Sequence, residues 1–335
     1  MARKLFSYFL ILIFSACWLA GCNHNWLPET LTSVWFPDSY RYGDLYQMAY
    51  LGDFKERTKP CDKKYANPAT KKNLDLYIIG DSFTEDGRMN SDDFVAQKLT
   101  RVHWADSAEI RLDRSKRNVL ILETVERHFR EHFVKNVNNF QVVNRLPLAF
   151  AKEKPQWYKD IDTRLEAVLF SHDFFLQFKE WKAALNLRLF GRTHAQVTIA
   201  PDQKNLLFNW DTDSTIATSS FYPLANDEVA KLVQEVNQTR QKYLDAGFDE
   251  VYLAIIPSKT SVVAPQIGRY NHLIERTQAH PALQTPLINC WSAFAAHRNH
   301  IYLRADTHWN CAGQSLWLDE ANEQLMRHKP PTVLP

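Results

Sequence analysis

Two short segments, far apart in the chain, carry side chains that could act together as a nucleophile and its base. Gly80-Asp81-Ser82-Phe83 follows an apolar run, and a serine at such a turn stands clear of a sheet with its own N–H available as an oxyanion donor. Asp306-Thr307-His308 lies near the other end of the chain. A serine nucleophile needs a general base, and the base needs a third group to hold its tautomer. His308 and Asp306 could supply both from one loop. Alternatively, Ser82 could cap a helix, and the Asp306-x-His308 pair could be a surface loop or contain a capping aspartate.

The histidines of the second segment leave a different chemistry open. His297, His300, Asp306 and His308 lie within twelve positions, and zinc accepts both imidazole and carboxylate ligands. An Asp-x-His pair on a loop lacks the helical spacing that aligns ligands, and a zinc site would leave the Gly80-Asp81-Ser82 turn unexplained. We therefore expect no metal and, since the chain has no nucleotide-binding loop, no cofactor.

Apolar runs that alternate with amphipathic stretches must position these segments. Strands are predicted at 76–79, 119–122 and 251–256, with weaker candidates at 286–289 and 301–303. Helices are predicted at 124–133, 160–189, 313–325 and from Asn226, as N-cap, to Gly247, and a hairpin spans 196–210. Strands alternating with helices predict an α/β fold, a parallel sheet in three layers with helices on both faces. Both chemical segments then lie beyond strand ends, where open α/β sheets bind ligands.

The two motifs resemble those of a known superfamily. Gly80-Asp81-Ser82 early in the chain and Asp306-x-His308 late in it are similar to the SGNH/GDSL hydrolases. The longer forms IIGDSFT and ADTHWN resemble the extracytoplasmic acetyltransferase-like branch, which includes alginate O-acetylation proteins and DHHW-type proteins. The resemblance implies an SGNH-like (flavodoxin-like) sheet, Ser82 as nucleophile, His308 as base and Asp306 as its orienting partner. It also implies attack on an acyl ester.

The chain departs from the superfamily pattern at two points. The aspartate stands two residues before the histidine, as in the acetyltransferase branch, whereas hydrolases commonly have a spacing of three. The Gly-x-Asn-Asp block that supplies an oxyanion donor is replaced by Glu123-Thr124-Val125-Glu126-Arg127. Arg127 could be an oxyanion or substrate donor, or form an ion pair on a helix surface.

Three further residues near the expected strand ends are candidate substrate contacts. Lys259 follows the strand at 251–256 and could meet an anionic substrate, with a solvated surface lysine as the alternative. Trp309 and Asn310 could contact a sugar, although aromatic residues more often pack in a core.

The N-terminal segment has the organisation of an export signal. Arg3 and Lys4 precede the uncharged apolar run Leu5 to Trp18, and Leu19-Ala20-Gly21-Cys22 resembles a bacterial lipobox. We predict a lipoprotein that is lipidated at Cys22 and tethered to the membrane outside the cytoplasm, in the periplasm or cell envelope. An uncleaved membrane anchor is the alternative.

The cysteines of the body could form a disulfide in an oxidising compartment. Cys61, Cys290 and Cys311 remain after the signal, and a Cys290–Cys311 pair would close a loop around the Asp306-x-His308 motif. Three free buried thiols are the alternative.

Composition and charge limit the class of protein. The chain has 335 residues, 45% of them hydrophobic, and its net charge of +2 provides no basic field for a nucleic acid. We divide it into a signal (1–22), a tether and N-terminal cover (23–73) and an SGNH-like catalytic domain (74–330) with an insertion around 140–215. The predicted function is O-acetyl transfer on an exported or envelope polysaccharide, with a carbohydrate esterase (deacetylase) or a non-catalytic glycan-binding lipoprotein as alternatives. The resemblance also suggests a membrane protein that delivers acetyl groups as a partner.

Overall fold

A parallel β-sheet forms the centre of the molecule. The computed structural model describes residues 2–22, 41–134, 137–144, 170 and 172–327. The sheet has the order β2-β1-β4-β8, with all neighbours parallel: β1 is Lys72–Gly80, β2 is Ala96–His103, β4 is Arg117–Val125 and β8 is Glu250–Ile256. Outside it, β3 (Ala108–Ile110) and β5 (Phe140–Val142) pair in parallel, and β6 (Val197–Ile199) and β7 (Leu206–Phe208) pair antiparallel. The predicted α/β class with a parallel central sheet is confirmed.

The described residues contain α-helices both before and after the strands. They are α1 (Ala2–Cys22), α2 (Asp44–Ala49), α3 (Glu126–His132), α4 (Asp173–Phe190), α5 (Asn209–Thr212), α6 (Asn226–Ala246), α7 (Lys259–Val263), α8 (Leu273–Gln278), α9 (Trp291–Ala296) and α10 (Cys311–Met326). Among the residues described, no helix is both long enough and apolar enough to cross a membrane.

Two apolar clusters lie against the central sheet because successive side chains of a strand point to opposite faces. In β1, Ile78 joins the cluster that contains Trp317 of α10, whereas Ile79 joins the cluster that contains Val236 of α6. Strands buried in this way have nearly continuous apolar sequences, which is why β1, β4 and β8 could be recognised.

Most of the element predictions within the described residues are confirmed. The strands at 76–79, 119–122 and 251–256 and the helices near 124–133, 226–247 and 313–325 are present. The helix predicted at 160–189 is present from Asp173, and its residues 160–169 lie outside the described ones. The weaker strands at 286–289 and 301–303 are reduced to single bridges at Leu287 and Tyr302.

The element prediction is wrong or incomplete at several points. The N-cap of α6 is Ala225 rather than Asn226, whose side-chain oxygen instead accepts a hydrogen bond from Arg276. Strand β2 was missed because it has polar, partly exposed residues at the edge of the sheet and lacks an apolar run.

A third apolar cluster joins α2 and the β6–β7 pair to the loop before His308. It contains Leu45, Leu206 and Ala305, and the N–H of Tyr46 donates to the Ala305 carbonyl at 3.0 Å. Gly43 permits this approach because it has φ 96° and a Cβ there would lie 2.3 Å from the Ala305 oxygen. The loop of the second motif is therefore packed against residues from near the start of the body.

Candidate active site

The two motifs of the sequence meet at the carboxyl end of β1. The Oγ of Ser82 lies 2.8 Å from Nε2 of His308, and Nδ1 of His308 lies 2.5 Å from Oδ1 of Asp306. Because a carboxylate can only accept, Nδ1 carries the proton, and Nε2 is left to accept from the serine hydroxyl. Ser82, His308 and Asp306 thus form a continuous hydrogen-bonded chain.

The turn that carries Ser82 depends on a glycine at its start. A Cβ at Gly80 would lie 2.3 Å from Oγ1 of Thr84 and 2.6 Å from Oε2 of Glu123. Oε2 of Glu123 accepts hydrogen bonds from the N–H of Asp81 at 2.8 Å and from the Thr84 hydroxyl at 2.8 Å. The side chain of Glu123 therefore occupies the space next to Gly80 and fixes the turn through hydrogen bonds with Asp81 and Thr84.

Ser82 is partly exposed, and its own backbone amide is available to a substrate. Ser82 begins a 3-10 turn (Ser82–Thr84), and among the described residues no acceptor takes its N–H. A free N–H beside a nucleophile can donate to the oxyanion of a tetrahedral intermediate.

Asp306 is buried with two hydrogen bonds from the same histidine. Its Oδ1 accepts from the backbone N–H of His308 at 2.8 Å as well as from the ring. Burial by itself would raise the pKa of Asp306, but the hydrogen bonds and the charge of His308 outweigh it and hold the pKa well below its ordinary value. Asp306 is therefore ionised and able to stabilise an imidazolium.

Lys259 fixes the backbone of the loop that carries the base. Its Nζ donates to the carbonyl oxygens of Leu303 at 2.6 Å, Arg304 at 2.8 Å and Asp306 at 3.2 Å. The residue is 2% exposed, and burial lowers the pKa of its amine to about 7. The alternative of a solvated surface lysine is wrong, and the ammonium faces the loop rather than open space for a substrate.

Asp44 of α2 also holds this loop, through hydrogen bonds with Thr307 and Asp306. Its carboxylate accepts from the N–H of Thr307 at 2.9 Å and from the Thr307 hydroxyl at 2.6 Å, and its own N–H donates to Asp306 at 3.3 Å. Burial, followed by the charge of Asp306, raises its pKa. Sequence reasoning missed Asp44, and the only local signal was a glycine immediately before it.

Arg127 is engaged in a buried ion pair. Its guanidinium donates to Oδ2 of Asp211 in α5 at 2.7 Å, and its carbon lies 5.6 Å from the centre of the Phe208 ring. Burial would lower the pKa of Arg127, but the charge of Asp211 outweighs it and raises the pKa. The pair is buried and does not lie on a helix surface, as one alternative had it. A role of Arg127 as a donor to an oxyanion or substrate stays a prediction.

Trp309 packs against the residues around it, Asn310 caps a helix, and both residues line a cleft. Trp309 is 5% exposed and packs against Phe83 with ring centres 4.9 Å apart. The side chain of Asn310 caps α10 by accepting from the N–H groups of Ala312 and Gly313. Both residues line a cleft of about 810 Å³ whose walls include Asp306 and Arg88 but neither Ser82 nor His308.

The disulfide differs from the pair considered in the sequence. Cys61 is bonded to Cys311, and Cys290 is a buried free thiol. Cys290 is the N-cap of α9 and lies in the core beside the sheet, whereas Cys311 begins α10 at the wall of the cleft. The bond therefore fastens the N-terminal part of the body to the helix that follows the Asp306-x-His308 motif.

Two groups of side chains in the described part of the chain have the composition of a metal site. One is Asp44, Asp306 and His308, which belongs to the site above. The other is Asp81, His128 and His132, at the turn of Ser82. His297 and His300, which the metal alternative required, are exposed and belong to neither group.

The second group contains a histidine in an unusual environment. The ring of His132 stacks on Trp104 with centres 4.1 Å apart, and burial lowers the pKa of His132 to about 4. Oδ1 of Asp81 lies 3.2 Å from Nδ1 of His128, and this hydrogen bond and charge outweigh burial to lower the pKa of Asp81. At neutral pH Asp81 is therefore an ionised carboxylate and His132 a neutral imidazole.

Comparisons with protein-family models, with curated proteins and with solved structures find no match for this chain. The conclusions about function consequently depend on the residues and their geometry.

Proposed function

We propose that the chain is a serine enzyme that acts on acyl esters, with an SGNH-like three-layer fold in which the β6–β7 pair belongs to an insertion. The observation that carries the proposal is the hydrogen-bonded chain from Ser82 through His308 to Asp306, with distances of 2.8 and 2.5 Å. Nucleophile, base and orienting carboxylate stand in the order that acyl transfer requires.

Each residue then has a defined step. Ser82 Oγ attacks the acyl carbon while its proton passes to Nε2 of His308, and the ionised Asp306 stabilises the imidazolium that forms. The N–H of Ser82 donates to the oxyanion. The intermediate collapses when His308 gives the proton to the leaving oxygen, which leaves an acyl group on Ser82. A hydroxyl then attacks this ester and gives its proton to His308. When the second intermediate collapses, His308 returns the proton to Oγ of Ser82, and the acyl group leaves on the attacking oxygen.

The proposed acceptor is a sugar hydroxyl of an exported or envelope polysaccharide, and the acyl group is acetyl. The cleft beside Asp306 has charged walls, with Arg88, Lys63, Glu85 and Asp86 among its residues, which suits a polar chain better than an apolar ligand. A polysaccharide outside the cytoplasm agrees with the Cys61–Cys311 disulfide, because such bonds persist in oxidising compartments. A lipid on Cys22 would hold the enzyme at the membrane, where a membrane protein would supply acetyl groups.

The proposal can be tested with the full-length chain in mild detergent and an activated acetyl ester. Reactions are run with and without an acetylatable oligosaccharide, and both acetate and acetylated sugar are measured. We expect sugar-dependent product, and we expect Ser82→Ala to lower turnover on the order of 10⁶-fold. Ser115→Ala, at an exposed turn, is the matched control.

The possible outcomes separate the three candidate functions. Ser82-dependent acetate that does not require the sugar would indicate an esterase with the same residues. If no ester reacts in a Ser82-dependent way while the oligosaccharide binds, the chain is a non-catalytic glycan-binding protein and the proposal is wrong.

A further inference from the structure

A cluster of two histidines and one aspartate lies at the turn that carries Ser82. His128 and His132 are four residues apart in α3, so both rings lie on one face of that helix. Oδ1 of Asp81 is 3.2 Å from Nδ1 of His128 and 3.9 Å from Nε2 of His132. The three ligand atoms lie within 4.8 Å of one another.

The carboxylate of this cluster is oriented by the backbone. The N–H of Val125 donates to Oδ2 of Asp81 at 2.8 Å, so Oδ1 is the oxygen that faces the histidines. The main chain of Asp81 is also held, because its N–H donates to Glu123 and its carbonyl accepts from Arg101 at 2.8 Å. One ligand is therefore fixed before any ion binds.

His132 has a hydrogen-bond partner for the ring nitrogen that would not bind the ion. Nδ1 of His132 lies 2.8 Å from the hydroxyl of Thr124, and the same hydroxyl lies 3.2 Å from the Val125 carbonyl. When the hydroxyl donates its proton to that carbonyl, it can accept from Nδ1, and Nε2 of His132 then carries a lone pair. Nε2 is 3.9 Å from Oδ1 of Asp81, which is too far for a hydrogen bond. In this tautomer a cation can bind both atoms.

The distances and donor types select the kind of cation. Metal–ligand bonds of about 2.0–2.2 Å in a tetrahedral site separate the ligand atoms by roughly 3.3 Å, so the observed 3.2 and 3.9 Å need only small side-chain shifts. Two imidazoles and one carboxylate suit zinc and leave a fourth position for water. The His128 side chain is 37% exposed, which gives the ion a route from solvent. With the ion on Nε2, Nδ1 of His132 donates to the hydroxyl of Thr124 at 2.8 Å, which is the kind of support that ligating histidines usually have.

We propose that Asp81, His128 and His132 bind one divalent transition-metal ion, with zinc the best fit, and that the ion ties the turn of Ser82 to α3. Asp81 directly precedes Ser82, so the ion would restrict the backbone that carries the serine. The ion has a positioning role, and the inference does not depend on the proposed function.

Zinc binding to the full-length chain, stripped with a chelator and held in mild detergent, tests the proposal. Titration against a chromophoric zinc indicator gives the stoichiometry and dissociation constant, and circular dichroism checks the fold of each variant. We expect one zinc per chain, and a double variant His128→Gln, His132→Gln that binds more than about 100-fold more weakly. His297→Gln, at an exposed histidine outside the cluster, should bind as the wild type does.

A second pair of variants keeps the proposal testable if the double variant does not fold. Thr124→Val removes the hydroxyl that holds Nδ1 of His132 and should weaken zinc binding about 10–100-fold, whereas Thr124→Ser should restore it. Zinc should also raise the thermal midpoint of the wild type and not that of the His128→Gln, His132→Gln chain. Equal affinities of the wild type and the histidine variants would overturn the proposal. So would zinc binding that is lost in Asp44→Asn but kept when both histidines are replaced.

Discussion

Replacing Lys259 by methionine should change the pH dependence of stability in a defined direction. Methionine matches lysine as far as Cε and lacks the amine that donates to three loop carbonyls. Burial lowers the pKa of the Lys259 amine from 10.5 to about 7, and at 2% exposure water does little to screen the group. The folded protein therefore releases this proton near pH 7, whereas the unfolded chain releases it near its ordinary pKa of 10.5.

The sign and size follow from the protons bound in each state. Between the two pKa values the unfolded chain binds one more proton than the folded protein, so the free energy of unfolding rises with pH by about 1.4 kcal/mol per unit. Below pH 7 both states carry the proton, and the contribution of Lys259 does not change. From pH 7 to pH 10 the wild type should therefore gain about 4 kcal/mol over Lys259→Met.

Urea unfolding monitored by tryptophan fluorescence, at unit steps from pH 6 to pH 10, measures this difference. The quantity of interest is the wild-type free energy of unfolding minus that of the variant, because other titrating groups cancel in it. Lys231→Met replaces a lysine on α6 whose side chain is 77% exposed, and its difference curve should stay flat. A flat curve for Lys259→Met between pH 7 and pH 10 would refute the argument that the amine is buried and readily deprotonated.

Three further changes test how the site is held. Gly80→Ala should lower the free energy of unfolding by several kcal/mol, since a Cβ would lie 2.3 Å from Oγ1 of Thr84. Gly52→Ala is the control: no atom lies nearer than 3.7 Å to its Cβ, and its free energy of unfolding in urea should stay near that of the wild type. Cys61→Ser removes a disulfide that spans 250 residues and should lower the free energy of unfolding by up to about 5 kcal/mol. The wild type in reductant should have the same urea midpoint as this variant. If the variant unfolds at the midpoint of the oxidised wild type, the bond is contradicted. Asp44→Ala removes both oxygens that accept from Thr307 and should lower turnover of an activated acetyl ester about 100-fold. Circular dichroism should show that the fold is intact. Full activity would show that the loop does not need this contact.

The meeting of the two motifs could be predicted because each depends on local sequence. Gly80-Asp81-Ser82 directly follows an apolar strand, and the carboxyl ends of parallel strands lie at one edge of a sheet. The bridge between Tyr302 and Trp309 shows that the second motif occupies a tight turn, as a loop after a short apolar run suggests. Periodicity and turn residues were sufficient for this part of the site.

The groups that hold the site could not be predicted, because their partners are distant in the chain. Asp44 contacts Thr307 across 263 positions, and Cys61 reaches Cys311 across 250. Lys259 stands after Pro257 and Ser258 in what the sequence presents as a surface turn, and only the packing of the 303–306 loop over it makes it a buried donor. Single-sequence patterns report which face of an element is apolar and do not report which loop covers it.

The two-residue spacing of Asp306 and His308 has a physical explanation in this loop. Oδ1 of Asp306 accepts from the backbone N–H of the residue two positions on, at 2.8 Å, which is the contact that defines an Asx turn. The same oxygen accepts from Nδ1 of His308, so one short turn fixes both the main chain and the ring of the base. The two-residue spacing therefore fixes the orientation of the His308 ring within the loop itself, without a contact from a bound substrate.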